Sequence, residues 1–517
     1  MKQIKILIVL FMLGACIPGF AYVYIPDVLS DGMVLQQGAA VPIWGKALPR
    51  EAVTVHFQGQ EKSTVADASG KWMIFLEGLT ADGVGKDLEI TGINRITIHN
   101  VFVGEVWLCA GQSNMQRLLS ETNKGDSVIA TATNPMLHLF NVSRDNSFGH
   151  KQGAIGSWAS CTPESVKEFS AAAYYFGMAL QKKLGVPVGI INSSFGGSQA
   201  EAWTPITYLQ TPELFPCLQR DTLLSSQRAA VQAKFALAMG EWKKSVAKSK
   251  LDGEKPKRAP SQPEALREYR PAASIYDHMI APLMPYGIKG AFWYQGESNE
   301  SRAEQYGYLL PVMIRSWRDG WHQGNFPFGI IQLPNYRSIE KLPVDQPWSH
   351  IREAQRITAD TVANTGLIVT IDIGEARDIH PKDKLSVGLR MYQWALGAIY
   401  KLPVLPSGPL LESAKPNAKG NKMVVTFKSV GTGLETRDHQ APHSFAIAGA
   451  DQKWHWAEAK LTAKDQITVW SKKVPKPVAV RYAFNNNPEN PNLTNNSGLP
   501  ASPFRTDNWP GPTHGQR

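Results

Sequence analysis

Cysteine is scarce in this chain, and the patterns missing around it exclude several chemistries. Four cysteines occur in 517 residues, Cys16, Cys109, Cys161 and Cys217. No two form a CxxC pair, so neither a thioredoxin-like redox site nor a structural zinc site finds support. HExxH and comparable ligand spacings are also missing, which argues against a zinc hydrolase. Beyond the N-terminus no stretch approaches the ~20 uninterrupted apolar residues of a spanning helix, so no transmembrane segment is expected in the mature chain. Charge of one sign is not gathered into a binding surface. The 54 Lys and Arg exceed the 44 Asp and Glu by a net +10. Much of the excess lies in KKSVAKSKLDGEKPKRAP, around Lys243 to Pro260. It lacks interleaved aromatics, the pattern of a solvated insertion and not of a nucleic-acid partner.

The N-terminus has the order of parts of a secretory signal peptide: Lys2 and Lys5, the apolar run ILIVLFML, then small residues to Gly19-Phe20-Ala21. Residues 1–21 are therefore set aside, and a periplasmic or secreted protein is expected. The same stretch also reads as a lipoprotein signal, since Leu13-Gly14-Ala15-Cys16 can place a lipidated Cys16 at the mature N-terminus and anchor the protein to a membrane. Removing the leader leaves Cys109, Cys161 and Cys217. An oxidising compartment allows a Cys161–Cys217 disulfide, but spacing alone does not establish one.

The length predicts two or three domains. From Tyr22 to Val101, short β-rich runs such as AVPIWG, AVTVHFQG, KWMIFLEG and NRITIHNV alternate with Gly, Asp and Asn turns, which predicts a small β-sandwich over 22–101. The texture then changes. VGEVWLCAG, VPVGIIN, KGAFWYQG, FGIIQLP and GLIVTIDIG are apolar strand candidates suited to a buried parallel sheet. Ser170 can cap a helix through AAAYYFGMALQKKL that stops at Gly185, and Asp383 can begin another through KLSVGLRMYQWALGAIY. Together these predict a three-layer α/β/α domain over 102–401. A helical, Lys-rich insertion near 215–270 interrupts it; with no feature of a site, it reads as a decorative excursion in preference to a lid. From Leu402 to the end, runs such as KMVVTFKS and QITVWS predict a second β-rich module.

Four segments place polar groups directly after predicted strands, at the sheet edge where α/β proteins bind ligands. In EVWLCAGQSNMQ, Ser113 is the candidate nucleophile beside Gln112, although Ser-Asn here is equally a helix cap. In INSSFGGSQAEAW, Gly196 and Gly197 allow backbone N–H groups to approach a developing oxyanion, with Gly197 the candidate donor; a tight turn explains them equally well. Glu201 and Trp203 follow as pocket candidates, against the alternative that the aromatic is packing. In WYQGESNE, Gln295, Glu297 and Asn299 crowd the strand end, and the Asn299 amide can serve as a further oxyanion donor.

The fourth segment, DIGEARDIHPKDK, holds Asp378 and His380. A serine hydroxyl needs an imidazole to accept its proton and a carboxylate to orient that imidazole. Among the histidines His380 best fits that need. His278 in SIYDHMIAPL is the runner-up and reads as a partly buried structural residue. Cys109 lies inside the apolar run VWLCA, where an inert buried thiol is expected, so a cysteine hydrolase is disfavoured.

Taken in order, these blocks resemble those of SGNH hydrolases. AGQSNM, SSFGGSQAEAW, MIAPLMPYGIKGAFWYQGESN, DIHPKDK and the terminal ASPFRTDNWPG resemble the sialate O-acetylesterase family more closely, over nearly the whole chain. The resemblance implies an SGNH-type fold with Ser113 as nucleophile, His380 as general base and Asp378 as its partner. It also implies an oxyanion hole from the Ser113 amide, Gly197 and Asn299, an O-acetylated sugar as substrate, and no metal or organic cofactor. Two features depart from the wider group. The spacing is Asp-x-His and not Asp-x-x-His, leaving Arg377 at the usual acid position and Glu297 or Asp372 as alternative acids, and GQSN replaces the GDS-type block. A polysaccharide acetylesterase and a carbohydrate-binding protein that has lost turnover are the competing readings.

Overall fold

A computed structural model describes residues 22–144, 156–263, 266 and 270–517. The leader, with Cys16, lies outside the described residues.

The N-terminal module is antiparallel apart from Val34–Gln36, which runs parallel to Phe102–Gly104. Val41–Lys46 pairs with Lys71–Leu76, and Ala52–Phe57 pairs with both Gln60–Val65 and Lys86–Thr91. The alternating burial of Lys71–Leu76 follows from alternate side chains entering the sandwich core. A single 17-residue strand, β1 (Arg95–Gly111), carries the chain onward. Its first half pairs antiparallel with Lys86–Thr91. Its second half becomes the middle of the central sheet, so NRITIHNV and VGEVWLCAG, expected as separate strands, are continuous.

The other strands of that sheet are β2 (Asn134–Asn141), β3 (Trp158–Cys161), β4 (Val188–Ser194), β5 (Gly290–Tyr294), β6 (Phe328–Ile331) and β7 (Thr365–Ile368). Their spatial order is β7-β6-β5-β1-β4-β2-β3. Every pairing is parallel except β2 with β3. The chain runs from β1 toward one edge and returns toward the other through β5, which makes the C-terminal end of β1 a topological switch point.

Helices cover both faces. The helix α1 (Ser113–Gln116) is a single turn; the longer ones are α2 (Ala171–Leu184), α3 (Phe215–Leu251), α4 (Ala303–Trp321), α5 (Pro347–Thr361) and α6 (Lys384–Trp394). Successive residues of β5 show the layering. Phe292 packs against Phe176 of α2 and Trp394 of α6, whereas Trp293 meets Trp317 of α4. The expected caps are present: the Ser170 hydroxyl accepts from Ala173 N–H, the Asp383 carboxylate accepts from Ser386 N–H, and Gly185 ends α2 with φ +69°.

The C-terminal module contains two four-stranded antiparallel sheets, one built on Met423–Lys428 and one on Phe445–Ala448. The molecule is thus an α/β/α domain flanked by β-modules. Among the described residues no helix is long and apolar enough to cross a membrane. Cys109, Cys161 and Cys217 are all free and buried, so the permitted Cys161–Cys217 bridge is not formed.

The insertion differs from its expected form. Its helix begins at Phe215, and the first turns belong to the domain body: Cys217 is fully buried and Arg220 is bonded to Glu201. Only the later turns form the exposed excursion that composition suggests.

Candidate active site

Gly111 shapes the turn that carries Ser113. Its φ is +145°, and a Cβ there would stand 2.2 Å from the carbonyl oxygen of Tyr294. The main chain can therefore leave β1 tight against β5, with Gln112 N–H donating to Tyr294 O at 3.0 Å and Phe195 N–H to Gly111 O at 2.9 Å. The far side is tied to α2, where Ser170 Oγ donates to Met115 O at 2.6 Å and Ala171 N–H to Arg117 O at 2.9 Å. Ser113 is thus fixed at the C-terminal edge of the sheet.

His380, on the loop between β7 and α6, reaches the same point. Its Nε2 lies 2.8 Å from Ser113 Oγ, although 267 positions separate the two in sequence. Asp378 is beside it, with Oδ1 3.6 Å from His380 Nδ1 and accepting the His380 backbone N–H at 2.9 Å. Burial holds the imidazole below its ordinary range; Asp378 opposes that shift, while Arg117 and Lys384 add to it. The alternative acids are committed elsewhere. Asp372 is clamped by Arg390 at 2.7 Å and Arg437 at 3.0 Å, and Glu297 Oε1 accepts from Asn114 Nδ2 at 2.6 Å. Arg377 is exposed. His278 is exposed as well, its Nδ1 2.7 Å from Ser274 O, which corrects the expectation of a partly buried residue.

The glycine loop follows β4. Gly197 has φ +70° and lies exposed. The backbone N–H groups of Ser113 and Gly197 have no hydrogen-bond partner among the described residues, leaving two donors at this edge. Gly196 N–H instead donates to Gln116 Oε1 at 2.6 Å, and a Cβ on Gly196 would come within 3.5 Å of Ser113 Cβ. Gln112 is buried, its Oε1 accepting Ser298 N–H at 3.2 Å.

Four expected site residues prove to be buried behind this surface. Glu201 is 0 % exposed: it binds Arg220 and Arg302, the latter at 2.6 Å, and accepts from Asn299 Nδ2 at 2.8 Å. Asn299 Oδ1 accepts from Ala200 N–H at 3.0 Å and Gln295 Nε2 at 2.7 Å. Trp203 packs on Trp293 and Trp317 and donates its Nε1–H to Ser198 Oγ at 2.9 Å. Glu201, Trp203 and Gln295 therefore do not line an open pocket, and the Asn299 carboxamide serves an internal network. An unmatched carboxylate in such surroundings is costly, so Glu201 acquires two guanidinium partners. Those partners, Arg220 and Arg302, sit on separate elements and carry no local motif. Among the described residues no group of three or more His, Cys, Asp or Glu is arranged to hold a metal ion.

Comparison with known proteins leads to the same place. Residues 262–393 match the family model described as carbohydrate esterase, sialic acid-specific acetylesterase. The human sialate O-acetylesterase is 28% identical over 93% of this chain and 93% of its own length, and the rat protein 27% identical over 77% and 78%. A crystal structure of a carbohydrate acetylesterase from Xanthomonas citri is 33% identical, covers 94% of this chain and 100% of its own, and superposes with a TM-score of 0.77. With the motifs, the fold and near full-length similarity in agreement, this chain is a carboxylic ester hydrolase that belongs to the sialate O-acetylesterase family of carbohydrate esterases.

Proposed function

We propose that the enzyme removes O-acetyl groups from sialic acid by two-step acyl transfer through acetyl-Ser113. The observation that carries the reading is the 2.8 Å approach of Ser113 Oγ to His380 Nε2 at the sheet edge. His380 accepts the hydroxyl proton as Ser113 Oγ bonds to the acetyl carbonyl carbon. The N–H groups of Ser113 and Gly197 receive the oxyanion. Asn299 supports them indirectly, by holding the loop that carries Gly197 through Ala200 N–H. The bond to the sugar oxygen then breaks, and that oxygen leaves with the proton returned by His380. Water, deprotonated by the same imidazole, cleaves the acetyl-enzyme to acetate and free Ser113. Asp378 orients and electrostatically supports His380.

Sialic acid is favoured over neutral glycans by the names of the relatives and by the net positive charge, which draws an anionic sugar. The leader-like residues 1–21 support action outside the cytoplasm. The test is acetate release from O-acetylated sialic acids and from acetylated plant glycans, by the wild type and by Ser113→Ala. The reading expects preference for the sialic acids and a loss of at least about a thousandfold in the variant. Preference for plant glycans would overturn the substrate; an active Ser113→Ala would overturn the mechanism.

A further inference from the structure

Behind the serine and histidine lies a second set of charged groups that the mechanism does not use. Asn114, fully buried, is bonded on three sides. Its Nδ2 donates to Glu297 Oε1 at 2.6 Å and to the carbonyl of Ile379 at 3.0 Å, and its Oδ1 accepts from Lys384 Nζ at 2.6 Å. One carboxamide thus joins the loops after β1, β5 and β7, and the carbonyl it grips belongs to the residue before His380.

Lys384 is an expensive choice at its position. It is fully buried, and it opens α6, where the helix dipole disfavours a cation. Its near contacts are the Asn114 carbonyl and the Tyr294 ring, 5.2 Å from Nζ. Across Asn114, Glu297 Oε2 is buried without a hydrogen-bond partner. Apolar residues of similar volume are commonly neutral or stabilising where such charges are buried, so stability alone does not account for the arrangement.

We infer that Lys384, Asn114 and Glu297 form a buried brace that sets the His380 imidazole against Ser113, with Lys384 a positioning residue acting through Asn114. The inference rests on the Ser113–His380 reading above. The brace works by geometry, because the Ile379 carbonyl cannot shift without breaking the Asn114 bond. It also works by field. The charged groups facing His380 are Asp378, Arg117, Lys384 and Glu121, and those facing Lys384 are Glu297, Arg117, Asp378 and Asp383. The Lys384 ammonium disfavours an imidazolium at His380, which keeps the base form available at lower pH.

The test is steady-state hydrolysis of an aryl acetate by the full-length chain, comparing wild type with Lys384→Met and with the double variant Lys384→Met/Glu297→Gln, which removes both charges together. The brace expects kcat to fall about tenfold to a hundredfold in each, with KM nearly unchanged, as for misplacement of a catalytic group. It also expects the acidic limb of kcat/KM to move up by about half a pH unit once the nearby cation is gone. A role limited to folding would not move that limb. Unchanged kcat and limb in either folded variant overturns the inference, and so does failure of both variants to fold. Ser113→Ala, assayed alongside, separates the two claims: an inactive Ser113→Ala beside an unaltered Lys384→Met leaves the serine mechanism standing and removes the brace. If Ser113→Ala retains the wild-type rate, the serine reading falls and the brace falls with it.

Discussion

Asp378 Oδ1 stands 3.6 Å from His380 Nδ1 while accepting the backbone N–H of that same histidine at 2.9 Å. The carboxylate therefore orients the ring from beside it and holds its main chain, without a short bond to Nδ1. It is also 39% exposed, which weakens its field. Replacement by Asn should then cost less than in a buried triad. We expect Asp378→Asn to lower kcat by about tenfold to a hundredfold, against a loss of the order of ten-thousandfold where the acid is buried and bonded to the base. Kinetics on an aryl acetate check this; a loss equal to that of Ser113→Ala would mean that Asp378 closes on Nδ1 in the working enzyme.

The pH profile follows from the environment of His380. Burial lowers its pKa, Arg117 and Lys384 lower it further, and Asp378 only partly compensates. The general base must be neutral to accept a proton, so activity is retained as pH falls until the imidazole protonates. The acidic limb of kcat/KM should accordingly lie below about 6.5, the ordinary histidine value. A limb above neutrality would mean that another group controls the reaction.

The sheet edge was legible in the sequence because each catalytic segment follows an apolar run long enough to mark a buried strand. Ser113, Gly197 and His380 could be placed by that rule and by chemical type. The brace could not. Lys384 and Asn114 are 270 positions apart, and a lysine in DIHPKDK looks like a surface charge until the fold buries it. Glu201 misled in the opposite direction. Its place beside the glycine loop suggested a pocket residue, while the arginines that draw it inward lie on distant helical segments. The continuity of β1 was hidden because NRITIHNV and VGEVWLCAG read as the end of one module and the start of the next, with the boundary after Val101; the strand instead runs through it, with Asn100 at φ +55°. Local pattern gives elements and edges; partners brought together by packing must be seen in three dimensions.

Thiol reagents should leave the enzyme untouched. Burial pushes the Cys161 thiol up to about 11 and Cys217 to about 12, and Cys109, fully buried within β1, is raised too. Essentially no thiolate is present at neutral pH, and the thiolate is the reactive form. Iodoacetamide on the native protein should therefore neither label these cysteines nor reduce acetate release, whereas a serine-directed phosphonylating reagent should abolish it. Inactivation by iodoacetamide in step with labelling would reopen the cysteine reading.

The paired guanidiniums on Glu201 make a sharper claim about stability than the surface ion pairs do. Burial raises the Glu201 pKa, but Arg302 and Arg220 outweigh it and hold the carboxyl below its ordinary range. A carboxyl whose folded pKa is depressed contributes stability above its unfolded value and loses it as pH falls through the folded one. Glu201→Gln removes that charge and takes the bonded carboxylate from buried Arg302 and half-buried Arg220, leaving them only the longer-range field of Asp221, which should cost about 3–5 kcal/mol. It should also flatten the acid side of the stability profile relative to wild type. By contrast, Asp360→Asn breaks the Lys428 pair, whose side chains are 45% and 44% exposed, and should cost no more than about 1 kcal/mol. Denaturant unfolding of both variants at pH 7 and below pH 5 checks the contrast. Equal and small losses would show that Arg220 and Arg302 find solvent or other acceptors when Glu201 is neutral. The glycine loop would then owe its position to Asn299 and Ser198 and not to this buried charge cluster.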